Sequence, residues 1–216
     1  MNSHIESSPK IINGILYLGS FDGFFYALNA RNGRPLLQFN TYSSVLSSPE
    51  VSNGMVFVGA EGGKLYAIDG HARNWFLENK LIKYWRVLYM YGDLPKPPPP
   101  SGYLWSLNLG GIIKSSPLIV DKKLYIGAGS RLIALDIPTK EVLWRFRTRG
   151  WIESSPAISG DVIYIGSDDG CLYALNALDG SLRWRLQTND KISASPTVAD
   201  GIVYIGSHDG NLYAVE

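Results

Sequence analysis

A repeat of about forty residues is the feature that most constrains what this chain can fold into. The tripeptide Ser-Ser-Pro occurs at residues 7–9, 47–49, 115–117 and 154–156, and Ala194-Ser195-Pro196 continues the series. Successive prolines are 40, 68, 39 and 40 residues apart, so removing one insert of about 28 residues leaves a uniform period. A sequence that repeats at this interval predicts a chain built from copies of one supersecondary unit.

Each repeat predicts a set of short antiparallel strands. An apolar run such as Val162–Gly166 is followed by a turn such as Asp169-Gly170 and then by a second run such as Leu172–Leu175. β-Branched and aromatic residues between Gly and Asp are typical of strands, and Asp-Gly supplies the positive φ of a tight hairpin. Neighbouring residues in a run are both apolar, which indicates a sheet covered on both faces. With a fourth strand around Trp184, the unit predicts a β-propeller blade.

The fold class that follows is all-β: a propeller of about five four-stranded blades, the last without its outer strand. We expect one domain over residues 1–216. Its repeats cover about 5–44, 45–111, 112–151, 152–191 and 192–216, and the second repeat contains an insert at about 71–100. Two interpretations of the blade count remain open. Either five blades close imperfectly, or the chain is part of a larger propeller, in which case an open arc would expose unpaired strand edges.

The repeat resembles the pyrroloquinoline-quinone (PQQ) type of propeller repeat, whose tryptophan-docking motif reads Ala-x-Asp-x-x-Thr-Gly-x-x-x-Trp. The third repeat matches this motif at Ala134, Asp136, Thr139 and Trp144, and the fourth matches it at Ala174, Asn176, Gly180 and Trp184. The second repeat keeps Trp105 beyond its insert, whereas the first has Leu37 in the tryptophan position. The resemblance implies that these tryptophans pack between neighbouring blades. We therefore expect a structural role for the motif residues.

The resemblance covers enzymes and non-enzymes, namely quinoprotein alcohol dehydrogenases and relatives of the assembly lipoprotein BamB. For a dehydrogenase it implies a PQQ cofactor, a catalytic Asp near calcium, an Arg beside the quinone and often a vicinal Cys pair. This chain has a single cysteine, Cys171, and most of its carboxylates lie in repeat turns such as Asp168-Asp169-Gly170. Asp in a turn usually caps its own backbone. We therefore predict no catalytic, cofactor-binding or metal-binding residues, and PQQ rests on the resemblance alone.

The insert is the one segment that does not repeat. Leu77, Leu81, Tyr84, Leu88 and Tyr91 recur at helical spacing, Asn79, Lys83 and Arg86 lie on a narrower polar face, and Gly92 and Pro95 favour a helix stop. Pro97–Pro100 predicts an extended spacer. Three interpretations stay open: an aromatic, basic helix that docks on a partner or a membrane surface, a segment that folds back over an exposed propeller edge or face, or a foreign stretch.

Four residues are candidates for interaction with a partner. Trp75 and Trp85 lie in the insert, and Arg149 and Trp151 lie in the link after the third repeat. Arg and Trp are frequent anchors of protein interfaces. The alternative for Trp151 is that it fills the gap between two blades.

Charge and targeting signals limit the partner and the compartment. A net charge of +1 gives no reason to expect nucleic acid. Neither a signal peptide nor an apolar window of membrane-spanning length is present, so the compartment is open, although the resemblance favours the periplasm or cell envelope. We expect a non-catalytic scaffold for protein–protein interaction, as in the BamB-like branch. The alternatives are part of a PQQ-dependent dehydrogenase, or a sensor or accessory domain of a larger protein.

Overall fold

The computed structural model describes residues 3–216 and contains five antiparallel sheets and one helix. The first sheet comprises β1 (Lys10–Ile12), β2 (Ile15–Gly19), β3 (Phe24–Asn29) and β4 (Pro35–Asn40). The second comprises β5 (Glu50–Ser52), β6 (Met55–Gly59), β7 (Lys64–Asp69) and β8 (Tyr103–Asn108), with helix α1 (Glu78–Tyr91) between β7 and β8.

The remaining sheets follow in the same order. The third comprises β9 (Leu118–Val120), β10 (Lys123–Ala128), β11 (Arg131–Asp136) and β12 (Val142–Arg147). The fourth comprises β13 (Ala157–Ser159), β14 (Val162–Gly166), β15 (Cys171–Asn176) and β16 (Leu182–Gln187). The fifth comprises β17 (Thr197–Ala199), β18 (Ile202–Gly206) and β19 (Leu212–Val215).

Strands pair with their sequence neighbours throughout, so every sheet is a meander like a propeller blade. The fifth sheet has three strands, and the fourth strands of sheets two to four contain the predicted tryptophans. The expectation of an all-β propeller fold of five blades, the last with three strands, is confirmed. The helix in the insert ends at Tyr91, and the next residue, Gly92, has a φ of 84° and caps the last turn. In the described part of the chain, no helix is long and apolar enough to cross a bilayer.

The residues form two compact units. The first extends to Ala60 and includes Leu65–Leu107, and thus sheets one and two with α1; the second contains Glu61–Lys64 and Asn108–Glu216. In the first unit, Phe25, Leu37 and Phe39 of sheet one are fully buried in one cluster with Val56 and Ile68 of sheet two.

The second unit has an equivalent core between its sheets. Leu132 and Trp144 of sheet three pack with Ile163 and Leu175 of sheet four. On the opposite face of sheet four, Leu172 packs with residues of sheet five. Adjacent sheets therefore cover both faces of sheet four, which explains why neighbouring residues along its strands are apolar.

The first serine of each Ser-Ser-Pro closes its own sheet. The Oγ atoms of Ser7, Ser47, Ser115 and Ser154 accept a hydrogen bond from the N–H of Gly19, Gly59, Gly127 and Gly166, at 2.8, 2.8, 3.1 and 3.1 Å. Gly19, Gly59 and Gly166 end the second strand of their sheets, and Gly127 is the next-to-last residue of β10. A buried serine thus satisfies a backbone donor at the strand end that would otherwise be costly to bury.

The second serine joins consecutive sheets. The N–H of Ser8 donates to Oγ of Ser48 at 2.8 Å in the first unit. In the second unit, the N–H of Ser116 donates to Oγ of Ser155, and the N–H of Ser155 donates to Oγ of Ser195, both at 2.9 Å. The two serines of the motif therefore have different partners, which explains why Ala194 can replace the first serine while Ser195 keeps the second.

Candidate interaction site

Trp144 is wedged between the third and fourth sheets. It pairs across the strands with Ala134, whose small side chain leaves room for the indole. The ring centroid lies 5.9 Å from that of Tyr125. The indole Nε1 and the Tyr125 hydroxyl each donate a hydrogen bond of 3.2 Å to the carbonyl oxygen of Ala177, in the fourth sheet. One carbonyl of the next sheet therefore receives two ring donors from the sheet before it.

The glycine of the docking motif receives the tryptophan of the preceding repeat. Gly180 has a φ of 73°, and a Cβ placed on it would lie 2.5 Å from Cε3 of Trp144. The Gly and Trp that the motif places in one repeat thus contribute to two different contacts between sheets. The sequence pattern shows both residues, but it does not show that Gly180 contacts the tryptophan of the preceding repeat.

The other motif residues contact their own sheets. Oδ1 of Asp136 accepts from the backbone N–H of Thr139 at 2.8 Å, and Oδ1 of Asn176 accepts from the N–H of Leu178 at 2.9 Å, so both cap turns. Ala174 is fully buried and pairs with Trp184. The ring of Trp184 is 5.9 Å from Tyr164, and that of Trp105 is 5.8 Å from Phe57. These contacts agree with packing and turn formation rather than with ligand binding.

Three of the four links between sheets contain a threonine at the same position, and the link after the second sheet has Leu109 there. In three repeats, its Oγ1 donates both to the carbonyl of a turn and to the carbonyl two residues further on. These threonines are Thr41, Thr148 and Thr188, with distances of 2.7 to 3.2 Å. The threonine therefore fixes the course of the three links that contain it.

Trp151 occupies a link position that the repeat leaves free. The residue three places after the link threonine is Ser44 in one repeat, Trp151 in another and Lys191 in a third. A sheet thus forms with a small, an aromatic or a charged side chain there. The Trp151 side chain is 52% exposed, so about half of its surface is accessible to a partner. This exposure favours interaction with a partner over the alternative that Trp151 fills the gap between two blades.

The backbone around Trp151 is nevertheless held firmly. Its carbonyl accepts from the N–H of Asp168 at 2.8 Å, and the N–H of Ile152 donates to the carbonyl of Gly129 at 2.8 Å. The N–H of Arg149 donates to Oδ2 of Asp169 at 2.8 Å, while its side chain is exposed. Arg149 and Trp151 therefore stand on a fixed loop with their side chains in solvent.

The pKa values of two adjacent carboxylates beside this loop are shifted in opposite directions. Oδ1 of Asp168 is buried and, among the described residues, has no hydrogen-bond partner. Burial, and then the negative charge of Glu153, raises the pKa of Asp168, against the lowering effect of Lys191, Lys114 and His208. The ionised form of Asp168 therefore destabilises the fold.

The pKa of the neighbouring Asp169 is lowered instead of raised. Burial acts to raise its pKa, but hydrogen bonds outweigh burial and hold the pKa below its usual value. Its Oδ2 accepts from the hydroxyl of Tyr173 at 2.7 Å, and its Oδ1 accepts from the N–H of Cys171 at 3.0 Å. Asp169 is thus a structural turn carboxylate, as the repeat predicts for this position.

The described residues show neither a three-residue cluster of metal ligands nor an exposed thiol. Within residues 3–216, no three His, Cys, Asp or Glu side chains are close enough to hold a metal ion. Cys171 is buried, and burial raises the pKa of its thiol. Neither observation identifies a metal or redox site among the described residues.

The insert is anchored to the outer strand of the first sheet through polar groups. The N–H of Gln38, in β4, donates to Oδ1 of Asn74 at 2.5 Å, and Nδ2 of Asn79 donates to the Gln38 carbonyl at 3.1 Å. Glu78 is buried, and its carboxylate accepts from Nδ2 of Asn74 at 2.9 Å and from the N–H of Ser101 at 2.6 Å. No pattern in the sequence marked Glu78, because buried carboxylates lack a periodic signal.

The two candidate tryptophans of the insert differ in their surroundings. Trp75 is 44% exposed in the segment before α1. Trp85 is half-buried, and its Nε1 donates to the carbonyl of Pro95 at 2.8 Å. Trp85 thus ties the helix to the polyproline segment, which leaves Trp75 as the more available of the two.

The contact between Trp144 and Gly180 can be tested with a matched pair of variants. Gly33 fills the same motif position in the first repeat with a φ of 68°, and a Cβ there would meet no atom within 4 Å. Both Gly33→Ala and Gly180→Ala carry the backbone cost of a left-handed residue, about 1–2 kcal/mol. Only Gly180→Ala must also displace the indole, which we expect to cost about 1–3 kcal/mol more. Urea denaturation measures the difference.

The Trp144→Ala background supplies the control for that pair. Without the indole, Gly180→Ala should cost no more free energy of unfolding than Gly33→Ala does. Equal losses for the two glycine variants in the otherwise unchanged chain would contradict the wedge between the sheets.

The two adjacent aspartates should respond to amidation with opposite signs. Because the pKa of Asp168 is raised, stability falls as pH rises between its unfolded and folded pKa, so Asp168→Asn should raise Tm at pH 7. Because the pKa of Asp169 is lowered, its stabilising effect is present above its unfolded pKa and is lost as pH falls through its folded pKa. Asp169→Asn should therefore lower Tm at pH 7 but have little effect in acid. Thermal melts across pH check this, and shifts of the same sign at neutral pH would refute it.

The sequence matches a described family over nearly all of its length. The family "Outer membrane protein assembly factor BamB" matches residues 4–77 and 83–216. No protein with a curated description matches the sequence.

Solved structures show the same fold at low sequence identity. BamB from Moraxella catarrhalis superposes with a TM-score of 0.73 and 19% identity, over 100% of this chain and 59% of that one. The quinohemoprotein alcohol dehydrogenase ADHIIG from Pseudomonas putida HK5 gives 0.71 and 19%, over 100% of this chain and 40% of that one. The quinohemoprotein alcohol dehydrogenase from Comamonas testosteroni superposes with a TM-score of 0.72 and 15% identity, over 99% of this chain and 41% of that one. The chain thus spans less than two thirds of each of these structures, and by its sequence match it belongs to the BamB family of PQQ-like propeller-repeat proteins.

Proposed function

We propose that this chain is a non-catalytic scaffold that binds another protein through the loop surface around Arg149 and Trp151. The observation that carries the proposal is the exposed indole of Trp151 on a rigid link. The repeat does not require an aromatic residue at that position, since Ser44, Ile112 and Lys191 occupy its counterparts. An exposed Trp beside an exposed Arg is a pair of residue types that often anchors protein interfaces.

The energetics of protein interfaces support this choice. Trp and Arg are enriched among the few residues that supply most of the binding free energy. A side chain on a pre-ordered backbone loses less conformational entropy on binding than one on a mobile loop. The hydrogen bonds of the Thr148–Ile152 link provide that order before any partner arrives.

Family membership supports a protein partner as well. The family description names an outer membrane protein assembly factor. The likeness to BamB at 19% identity concerns the fold, so the partner of this chain has to be identified by experiment.

Part of a PQQ-dependent dehydrogenase is the second candidate, favoured by the structural likeness to two quinohemoprotein alcohol dehydrogenases. A sensor or accessory domain of a larger protein is the third, because the chain spans only part of its structural relatives. Addition of PQQ and calcium distinguishes the second candidate. A quinone absorbance change together with dye-linked alcohol oxidation would support it, and neither is expected for a scaffold.

Site-specific crosslinking tests the proposed surface. A photoreactive phenylalanine analogue at position 151 should crosslink one protein, whereas the same analogue at Leu178 should not. Leu178 is a suitable control because it is 71% exposed in the same unit. The crosslinked protein is then purified and its Kd is measured with Trp151→Ser, which installs the residue found at the equivalent link position 44.

The expected result is an affinity at least about tenfold weaker for Trp151→Ser, with Tm unchanged. Arg149→Ala should weaken the same complex by a smaller factor. An unchanged Kd for Trp151→Ser, or equal crosslinking at 151 and 178, would overturn the proposed surface.

A further inference from the structure

Helix α1 turns its apolar stripe away from the protein. The five residues at helical spacing are all exposed: Leu77 by 45%, Leu81 by 45%, Tyr84 by 69%, Leu88 by 41% and Tyr91 by 78%. A helix on the surface of a globular protein normally buries such a stripe and exposes its polar face. Here the arrangement is the reverse, so the stripe is a large apolar surface without a partner in this chain's described residues.

The side of α1 that packs on the protein is mainly polar. Glu78 and Ile82 are its buried residues, and Asn79 bonds to the backbone of β4. Arg86 lies over the ring of Tyr42, 4.6 Å from its centroid. These contacts fix the orientation of the helix. The stripe therefore faces outward because the opposite side of the helix is anchored to the protein.

The exposed surface of α1 is positively charged. Lys80 and Lys83 are exposed beside the stripe, and Arg73, Lys96 and one acidic residue, Asp93, are exposed before and after the helix. Glu78 is the only acidic residue of α1, and its carboxylate is buried and hydrogen-bonded. Cations around an apolar, aromatic stripe complement a surface that is anionic at its boundary and apolar beneath.

A groove next to the stripe has the same chemistry. It has a volume of about 680 Å³ and is lined by Tyr89, Met90 and Pro97–Pro99, with Arg86 and Lys96 at its charged positions. Apolar walls with two cations suit an acyl chain below a phosphate group. Tyr and Trp, as in Tyr84, Tyr91 and Trp75, favour the boundary between lipid and water.

We propose that the outward stripe of α1 docks on the surface of an anionic phospholipid bilayer. The helix lies parallel to the membrane plane, with Leu81 and Leu88 in the acyl boundary and Lys80 and Lys83 at lipid phosphates. Its 14 residues extend about 21 Å, which is shorter than the roughly 30 Å hydrocarbon core, so the helix lies on the bilayer and does not cross it.

Vesicle flotation with the whole chain tests this docking. The protein should float with vesicles of mixed phosphatidylcholine and phosphatidylglycerol, and much less with phosphatidylcholine alone. Leu81→Gln with Leu88→Gln should weaken binding by more than about tenfold, because two side chains lose their apolar insertion. Lys80→Glu with Lys83→Glu should weaken binding most at low salt. The matched control is Leu143→Gln with Leu178→Gln, since these leucines are 44% and 71% exposed on other elements, and it should bind as the unchanged protein does.

The remaining outcomes overturn the proposal. Failure of the unchanged protein to float with the mixed vesicles would do so, as would full binding by Leu81→Gln with Leu88→Gln. A concentration-dependent dimer that this double variant abolishes, without any lipid binding, would assign the stripe to a second copy of the chain. Trp151→Ser should still float, so a failure of the protein-binding surface is distinguishable from a failure of lipid docking.

Discussion

The contact of ring side chains with the turn of the following sheet is the interaction on which this structure depends. Trp144 and Tyr125 both donate to the Ala177 carbonyl, and the indole lies against Gly180. In the first unit, the hydroxyl of Tyr17 donates in the same way to the carbonyl of Gly70 at 3.1 Å. Each sheet on its own would leave an apolar face in water, so a sheet is stable only when its neighbour covers that face.

This dependence separates positions for folding from positions for function. Positions that recur with one residue type, such as the link threonine of three repeats, have the same hydrogen bonds wherever they recur and are explained by the fold. Trp151 and the stripe of α1 are not explained in this way, because the repeat forms without them. Large apolar side chains at positions that the fold does not require indicate binding surfaces. The surface around Trp151 suits a protein partner, and the stripe of α1 suits a lipid surface.

Much of the fold could be predicted from the sequence because the repeat displays each local signal several times. The strands, the Asp-Gly turns and the helix stop at Gly92 all follow local propensities. The orientation of α1 could not be predicted, because it is set by buried polar contacts of Glu78 and Asn79 that have no periodicity. The raised pKa of Asp168 was equally hidden, since Asp168 and Asp169 are alike in sequence and differ only in their hydrogen-bond partners.

Amide hydrogen exchange in Trp144→Ala and Trp151→Ser tests the separation of folding from function most directly. The account predicts that Trp144→Ala speeds exchange in the strands of both the third and the fourth sheet, because their shared face opens to water. It predicts rates indistinguishable from those of the unchanged protein in these strands for Trp151→Ser. Faster exchange of the same strands in Trp151→Ser would show that this indole belongs to the fold, and would contradict the account.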